Sequence, residues 1–116
     1  MPKVMIVDDD RTTVKLLETL LQMDGFDVVL VARGRDVLNA ARRERPDILL
    51  IDHHLVDIDG VEVVRALRAD PQFARTPIVM ASGMNVADEA RRAGANLFLF
   101  KPLEAGTLAD TLKSLL

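Results

Sequence analysis

The chain has no cysteine, no tryptophan and no tyrosine, and its aromatic content besides two histidines is four phenylalanines. Without cysteine the protein can form no disulfide bond and can use no thiol chemistry. The small number of histidines and the lack of cysteine also argue against a structural zinc site. No apolar stretch approaches the length of a membrane-spanning helix, and Met1 leads directly into a predicted strand rather than a signal sequence. We therefore expect a cytoplasmic protein that crosses no membrane.

The charge balance is mildly acidic. Fifteen Lys and Arg residues against eighteen Asp and Glu residues give a net charge of -3. This sign argues against nucleic-acid binding through neutralisation of phosphates. With 116 residues, of which 49% are hydrophobic and 28% charged, the chain suits one globular domain over residues 1–116.

Four short apolar runs each end at residues whose side chains can bind phosphate or metal. Runs that are apolar throughout are typical of strands in a parallel sheet that is buried on both faces. The runs cover residues 4–7, 48–51, 77–81 and 97–100, and the residues after them are Asp8, Asp9 and Asp10, then Asp52, then Ser82, then Lys101 and Pro102. In an open parallel sheet, ligands bind beyond the carboxyl ends of the strands. We therefore expect one pocket suited to magnesium and a phosphoryl group.

Helical segments separate the strand candidates. Apolar residues recur at helical spacing in residues 12–24, 34–45, 61–69, 85–93 and 104–116, and residues 26–31 form a further strand candidate. This alternation predicts an α/β fold, the flavodoxin-like (βα)5 three-layer sandwich with a parallel five-stranded sheet. The second strand ends without a reactive residue, which favours the order 2-1-3-4-5 with that strand at an edge.

Carboxylates follow two of the predicted strands. After the first strand, an acidic residue can simply cap the next helix, and this explanation suits Asp10. Two further carboxylates at a buried strand end repel each other unless a cation joins them, so Asp8 and Asp9 favour a magnesium site. Asp52 either caps the loop that follows it or serves as a nucleophile toward phosphorus beside the metal.

Ser82 and Lys101 complete the predicted pocket. A serine in this context is often only a turn cap, and a lysine often extends to solvent. Beside three carboxylates, however, a hydroxyl and an ammonium group favour a phosphoryl site. His53 and His54 face opposite ways on an extended segment, so we expect no shared metal ion and a solvent-exposed position for both. Phe98 is expected in the core, on the strand that leads to Lys101.

The ordered set of motifs resembles the receiver domain of two-component response regulators. The matching pieces span essentially the whole chain at the spacing usual in that family, and the set is highly specific although each piece is weak. They are Val7-Asp8-Asp9, Ile51-Asp52, Asp59-Gly60, Ala81-Ser82-Gly83 and Lys101-Pro102. As in relatives, the bond between Lys101 and Pro102 is expected to be cis.

The resemblance implies that Asp52 is the phosphoacceptor and takes its phosphoryl group from a histidine of a sensor kinase or of a phosphotransfer protein. It implies a Mg2+ ion held by Asp9, Asp52 and the backbone carbonyl of His54, with Asp8 acting partly through water. Lys101 is expected to pair with the phosphoryl oxygens. Such a protein is not an enzyme in the usual sense, because it catalyses only its own phosphorylation and dephosphorylation.

The resemblance also implies a conformational switch. Ser82 resembles the hydroxyl that moves toward the phosphoryl oxygens, and Phe98 resembles the aromatic side chain that turns inward with it. The change would alter the surface formed by the fourth helix, the fifth strand and the last helix. This surface is expected to control an output domain or partner, and a homodimer through the same surface is a further possibility. His54 and Met84 occupy positions that set the phosphoryl lifetime in relatives. Because Met84 cannot orient an attacking water, we expect slow hydrolysis.

Two other interpretations use the same residues. A phosphatase of the haloacid dehalogenase type would use Asp8 as nucleophile and Asp10 as acid/base, and Ser82 and Lys101 would match its later motifs. Against it, no acidic pair follows Lys101, the chain is short for that fold, and Asp52 has no role. A receiver-like interaction module that never takes up phosphate would lack part of the pocket, whereas all of these residues are present.

Overall fold

A computed structural model describes the backbone of residues 1–116 and every side chain except that of Ala105. Strands and α-helices alternate along the chain. The strands are β1 (Lys3–Val7), β2 (Asp27–Val31), β3 (Ile48–Asp52), β4 (Ile78–Ser82) and β5 (Leu97–Phe100). The helices are α1 (Arg11–Met23), α2 (Val37–Glu44), α3 (Gly60–Ala69), α4 (Ala87–Ala93) and α5 (Ala105–Ser114), with short 3₁₀ turns at Gly34–Asp36 and Pro71–Phe73.

All neighbouring strands are parallel, and their order is β2-β1-β3-β4-β5. The predicted flavodoxin-like α/β fold and the predicted strand order are therefore confirmed. Every residue of β3 and β4 is buried, because helices cover both faces of the sheet, and this explains their uninterrupted apolar sequences. Strand β2 lies at an edge, where Leu30 is exposed.

The sheet separates two hydrophobic cores. Side chains alternate along each strand, so Leu49 and Ile51 join the core beneath α2, α3 and α4, whereas Ile48 and Leu50 join the core beneath α1 and α5. The side chain of Asp52 points to the same face of the sheet as those of Ile48 and Leu50, and Asp52 and Leu50 line a narrow cavity on the face covered by α1 and α5. The residue after Asp52 therefore faces the opposite side of the sheet.

The register brings the strand ends that carry the predicted functional residues together at the carboxyl end of the sheet. The last pairs of the interior ladders are Val7 with Ile51, Asp52 with Ala81, and Ser82 with Phe100. Since parallel strands share one direction, the residues that follow β1, β3, β4 and β5 leave the sheet at the same edge. The predicted functional residues are thus placed by the ladders.

Helix starts differ from the sequence-based boundaries where the side chain of the N-cap residue makes no capping bond. The second predicted helix opens with the 3₁₀ turn Gly34–Asp36, and α4 begins at Ala87 rather than at residue 85. Among the described residues, the N-cap residues of α2 and α4, Asp36 and Val86, make no capping hydrogen bond with their side chains, and the N–H of Ala87 is instead accepted by Oδ1 of Asn85 at 3.4 Å. Among the described residues, every helix is too short or too polar to traverse a lipid bilayer.

Candidate functional site

Three carboxylates, here called the acidic cluster, meet at the carboxyl ends of β1 and β3. Asp8, Asp9 and Asp52 each place one oxygen within 4.8 Å of the others, close enough for a single metal ion. Asp8 and Asp52 are buried, with 7% and 8% of their surface exposed, and Asp9 is half-buried. Carboxylate oxygens are the ligands that Mg2+ prefers. The structure thus brings together the three residues that the strand ends suggested.

Lys101 neutralises part of the charge of this cluster. Its Nζ lies 2.8 Å from Oδ1 of Asp52 and 3.4 Å from Oδ2 of Asp8. The bond from Lys101 to Pro102 is cis, as the resemblance implied. Because one ammonium group faces three carboxylates, the site keeps a net negative charge and can take up a further cation.

The electrostatics of Asp52 reflect its burial. Burial raises the pKa of the Asp52 carboxyl above its ordinary value of 3.8, and the negative charges of Asp8 and Asp9 raise it further. The hydrogen bond from Lys101 lowers this pKa but does not outweigh the burial. For Lys101, burial alone would lower the pKa, but the carboxylates of Asp52 and Asp8 outweigh it and raise the pKa above 10.5. Asp52 is therefore a poorly solvated carboxylate held by an ammonium group, which suits a nucleophile.

Backbone N–H groups orient the other two carboxylates. The N–H of Val56 donates to Oδ2 of Asp9 at 2.8 Å, and the N–H of Asp10 donates to Oδ1 of Asp8 at 3.0 Å. Asp10 itself turns toward α1, where hydrogen bonds chiefly from Thr13 lower its pKa. Asp10 therefore caps α1 and stays outside the acidic cluster, as its position after β1 suggested.

The loop between β3 and α3 closes tightly over the end of β3. The N–H of Gly60 donates to the carbonyl oxygen of His53 at 2.9 Å, and a Cβ atom at position 60 would collide with the backbone oxygen of Asp52. Glycine is the residue that permits this approach. Asp59 caps α3 by accepting the N–H of Val61 at 2.8 Å. The Asp59-Gly60 motif therefore fixes the path of the chain beside the phosphoacceptor candidate.

Ser82 lies beside the acidic cluster rather than in it. Its Oγ accepts the N–H of Met84 at 3.0 Å and lies 3.2 Å from Nδ1 of His53. Among the described residues, no hydrogen bond joins the Ser82 hydroxyl to Asp52 or Lys101. In this structure Ser82 acts as a turn cap, the simpler alternative for a serine after a buried strand, and its hydroxyl is fully buried.

The expected solvent exposure of His53 is wrong, since only 6% of its surface is exposed. The ladder pairs Asp52 of β3 with Ala81 of β4, so His53 and Ser82 are next neighbours on the same face of the sheet. The N–H of His53 also bonds to the carbonyl oxygen of Ala81 at 2.9 Å and extends the ladder. This register is the signal that places His53 inside, and it depends on strand pairing.

His54 and Phe98 lie at the rim of the site. His54 is exposed, as predicted, and its Nε2 lies 3.2 Å from Sδ of Met84. Phe98 is half-buried, packs against the core beneath α3 and α4, and contacts the ring of Phe100 edge to face at 5.1 Å between centroids. Phe98 is thus at the boundary between core and surface, next to the exposed Phe100.

Sequence comparison decides the family. The family profile described as the response regulator receiver domain matches residues 4–113. The chain belongs to this family. Receiver domains are components of two-component signalling, and the chain is accordingly a signalling module rather than a true enzyme. Membership of this family implies a histidine kinase as partner.

Relatives and solved structures match this receiver domain along its length. The polar-differentiation response regulator DivK of Brucella anthropi is 30% identical over 120 residues, which cover 100% of this chain and 98% of the relative. A putative response regulator from Chloroflexus aurantiacus has a crystal structure with a TM-score of 0.93 and 33% identity, covering 99% of this chain and 98% of the other. The chemotaxis response regulator CheY4 of Vibrio cholerae has the same TM-score and identity, covering 100% and 99%.

The acidic cluster gains its meaning from this membership. Asp8, Asp9 and Asp52 are consistent with a phosphoacceptor site and are typical of the magnesium site of receiver domains. The same membership contradicts the haloacid dehalogenase alternative. The geometry agrees, because Asp10, the acid/base of that alternative, is bonded to the start of α1.

Proposed function

We propose that residues 1–116 form one cytoplasmic receiver domain in which Asp52 accepts a phosphoryl group from a histidine of a sensor kinase or of a histidine phosphotransfer protein. The observation that carries this proposal is the buried Asp52 carboxylate, 2.8 Å from Nζ of Lys101 and clustered with Asp8 and Asp9. Phosphoryl transfer depends mainly on positioning and on neutralisation of charge, and these residues supply both.

In the proposed step, a carboxylate oxygen of Asp52 attacks phosphorus in line with the bond to the donor histidine. The phosphorus–nitrogen bond breaks, its electron pair stays on the imidazole nitrogen, and an acyl phosphate forms on Asp52. Nζ of Lys101 lies 2.8 Å from Oδ1 of Asp52, so its ammonium group is close enough to pair with the oxygens of a phosphoryl group bound there.

The donor set fits Mg2+. Three carboxylates share one small region, and their mutual repulsion contributes to the raised pKa of Asp52, as expected of a site that takes up a cation. We assign the metal to Asp8, Asp9 and Asp52 together with the backbone carbonyl of His54. When bound, the ion neutralises charge that develops on the phosphoryl oxygens. The N–H of Val56 orients Asp9 by donating to its Oδ2 at 2.8 Å.

The phosphorylated state is proposed to act through the surface formed by α4, β5 and α5. Ser82 would leave its cap at Met84 and donate its hydroxyl hydrogen to a phosphoryl oxygen, and Phe98 would turn into the space beside it. The half-buried position of Phe98 supports this role, because its ring packs against the core and is also partly exposed at the surface. The changed surface would then bind an output domain, another partner or a second copy of the chain.

The direct test is phosphorylation by acetyl phosphate with Mg2+, followed by intact mass. The wild-type protein should gain one phosphoryl group, and Asp52→Asn should gain none. Asp110→Asn is the matched control, because it removes an exposed carboxylate on α5 and should label like the wild type. Equal labelling of Asp52→Asn, or no labelling of the wild type with this donor and with a phosphorylated histidine protein, would overturn the proposal.

A further inference from the structure

The side chain of His53 is buried and lies between two functional elements. Its Nδ1 lies 3.2 Å from Oγ of Ser82, and its Nε2 lies 3.5 Å from Oδ1 of Asp59. Asp59 is itself fixed at the start of α3, where the same oxygen accepts the N–H of Val61. The imidazole therefore connects the switch hydroxyl on β4 with the first turn of α3.

The need of each buried polar group for a partner indicates which group donates and which accepts between Ser82 and His53. The Ser82 oxygen already accepts the N–H of Met84, and the hydroxyl is fully buried, so its hydrogen needs an acceptor inside the protein. Nδ1 of His53 is that acceptor if the imidazole carries its hydrogen on Nε2. This tautomer also places a hydrogen on Nε2, which lies 3.5 Å from Oδ1 of Asp59. The Ser82 hydrogen then has an acceptor inside the protein.

We propose that His53 is a positioning residue that holds Ser82 in the resting state of the switch. The inference rests on the proposed function, in which Ser82 donates this same hydrogen to a phosphoryl oxygen. The hydroxyl can serve only one of the two acceptors, so each switching event must break the bond to His53 and leave a buried nitrogen without its partner. His53 therefore sets how much of the protein occupies the active state at a given level of phosphorylation.

We call the hydrogen bond from the Ser82 hydroxyl to His53 the latch. Two variants of His53 whose new side chains are nearly isosteric with each other test it. His53→Leu fills the site without a polar atom, whereas His53→Asn has a similar shape and keeps a polar atom toward Ser82. The first readout, at one fixed pH and without metal or phosphate, is the hydrogen-exchange rate of the Met84 amide measured by NMR. His53→Leu should accelerate this exchange about fivefold, the usual worth of one buried hydrogen bond, and His53→Asn should remain near the wild type.

The second readout is binding of beryllofluoride with Mg2+, followed through the amide shifts of residues 82–86. Because the competent state gains population when the latch is removed, His53→Leu should bind beryllofluoride about fivefold more tightly than the wild type. In a Ser82→Ala background, which lacks the latched hydroxyl, His53→Leu should change neither readout further. This non-additivity separates a latch from general repacking around His53.

The outcomes distinguish the latch from the function on which it rests. If His53→Leu leaves Met84 exchange and beryllofluoride affinity unchanged, or has the same effect in the Ser82→Ala background, the latch is overturned. If wild-type protein shows no beryllofluoride response, the proposed phosphoacceptor function fails, and Met84 exchange still decides whether His53 restrains Ser82. If His53→Asn behaves like His53→Leu in both readouts, a polar partner for Ser82 is not what the site requires and the inference also fails.

Discussion

At the scale of single residues, the ionised carboxyl of Asp52 lowers the stability of the metal-free protein. Its pKa in the folded state is raised, chiefly by burial, above the ordinary value of 3.8. The unfolded chain has the ordinary pKa of 3.8, and the folded protein has a higher one. At a pH between the two, the folded protein binds more protons than the unfolded chain, so the free energy of unfolding falls as the pH rises through this range. Above this range the whole loss of stability is present.

We therefore expect Asp52→Asn to stabilise the metal-free protein at neutral pH and to raise its Tm above that of the wild type. Well below pH 3.8 the two proteins should have similar stability, because Asp52 is then protonated in both states. Mg2+ should raise the Tm of the wild type more than that of the variant. Thermal unfolding with and without Mg2+ checks this, and a lower Tm for metal-free Asp52→Asn at neutral pH would contradict it.

The side chain of Met84 leads to a second prediction, which concerns the lifetime of the phosphoryl group on Asp52. The Met84 thioether lies against Nε2 of His54 at 3.2 Å and offers no strong hydrogen-bonding group to orient a water molecule toward phosphorus. We expect slow hydrolysis in the wild type and at least severalfold faster loss of phosphate in Met84→Gln, whose amide can hold water. Met23→Gln, at another exposed methionine, is the control. Loss of phosphate from the wild type within seconds would contradict the prediction.

At the scale of secondary-structure elements, Arg68 joins the end of α3 to the segments around α4. Its guanidinium donates to the carbonyl oxygens of Gly94, Phe73 and Thr76 at 2.9, 2.6 and 2.7 Å and to Oδ1 of Asn96 at 2.8 Å. Burial lowers the pKa of Arg68, and the planar donor array satisfies several acceptors at once. The carboxyl end of α4 is thereby fixed to the rest of the domain.

We expect Arg68→Lys to destabilise the protein by about 2 kcal/mol, because a lysine cannot supply all of these donors and leaves carbonyl groups unpaired. Arg65→Lys is the matched control on the same helix, since Arg65 is exposed and, among the side chains that the structure describes, pairs with Glu62 alone on the surface. Urea unfolding measures both, and the midpoint should fall for Arg68→Lys with an unchanged slope. Equal midpoints for the two variants would contradict this role of Arg68.

The elements also show what the sequence can predict. Strand β3 and the position of Asp52 follow from an apolar run that stops at a carboxylate, because burial on both faces leaves that pattern in the chain itself. The burial of His53 does not follow, since it depends on the register between β3 and β4. The same register places the Ser82 hydroxyl against His53 rather than in the acidic cluster. Local patterns therefore identify the site residues, and the direction of a side chain requires the paired strands.

At the scale of the whole molecule, the phosphoacceptor candidate and the residues proposed for its switch, His53 and Ser82, lie on opposite faces of one sheet. Asp52 continues the side that faces α1 and α5, whereas His53 and Ser82 continue the side that faces α3 and α4. A phosphoryl group on Asp52 can draw Ser82 across the end of β4 and so connect the two faces. The interior ladders of β1 and β3 need not change for this to happen.

This arrangement predicts where phosphorylation alters the domain. With Mg2+ and beryllofluoride, hydrogen exchange should change in residues 82–93 and 97–104 and stay constant in β1 and α2. Within α4 the change should be larger at its start, where Val86 offers no capping side chain and the bond from Ala87 to Asn85 is 3.4 Å long, than near Gly94, whose carbonyl oxygen accepts a hydrogen bond from Arg68 at 2.9 Å. Asp52→Asn should show no change. Exchange changes of equal size in α2, or a change in Asp52→Asn, would show that the signal does not travel from Asp52 through Ser82 to α4.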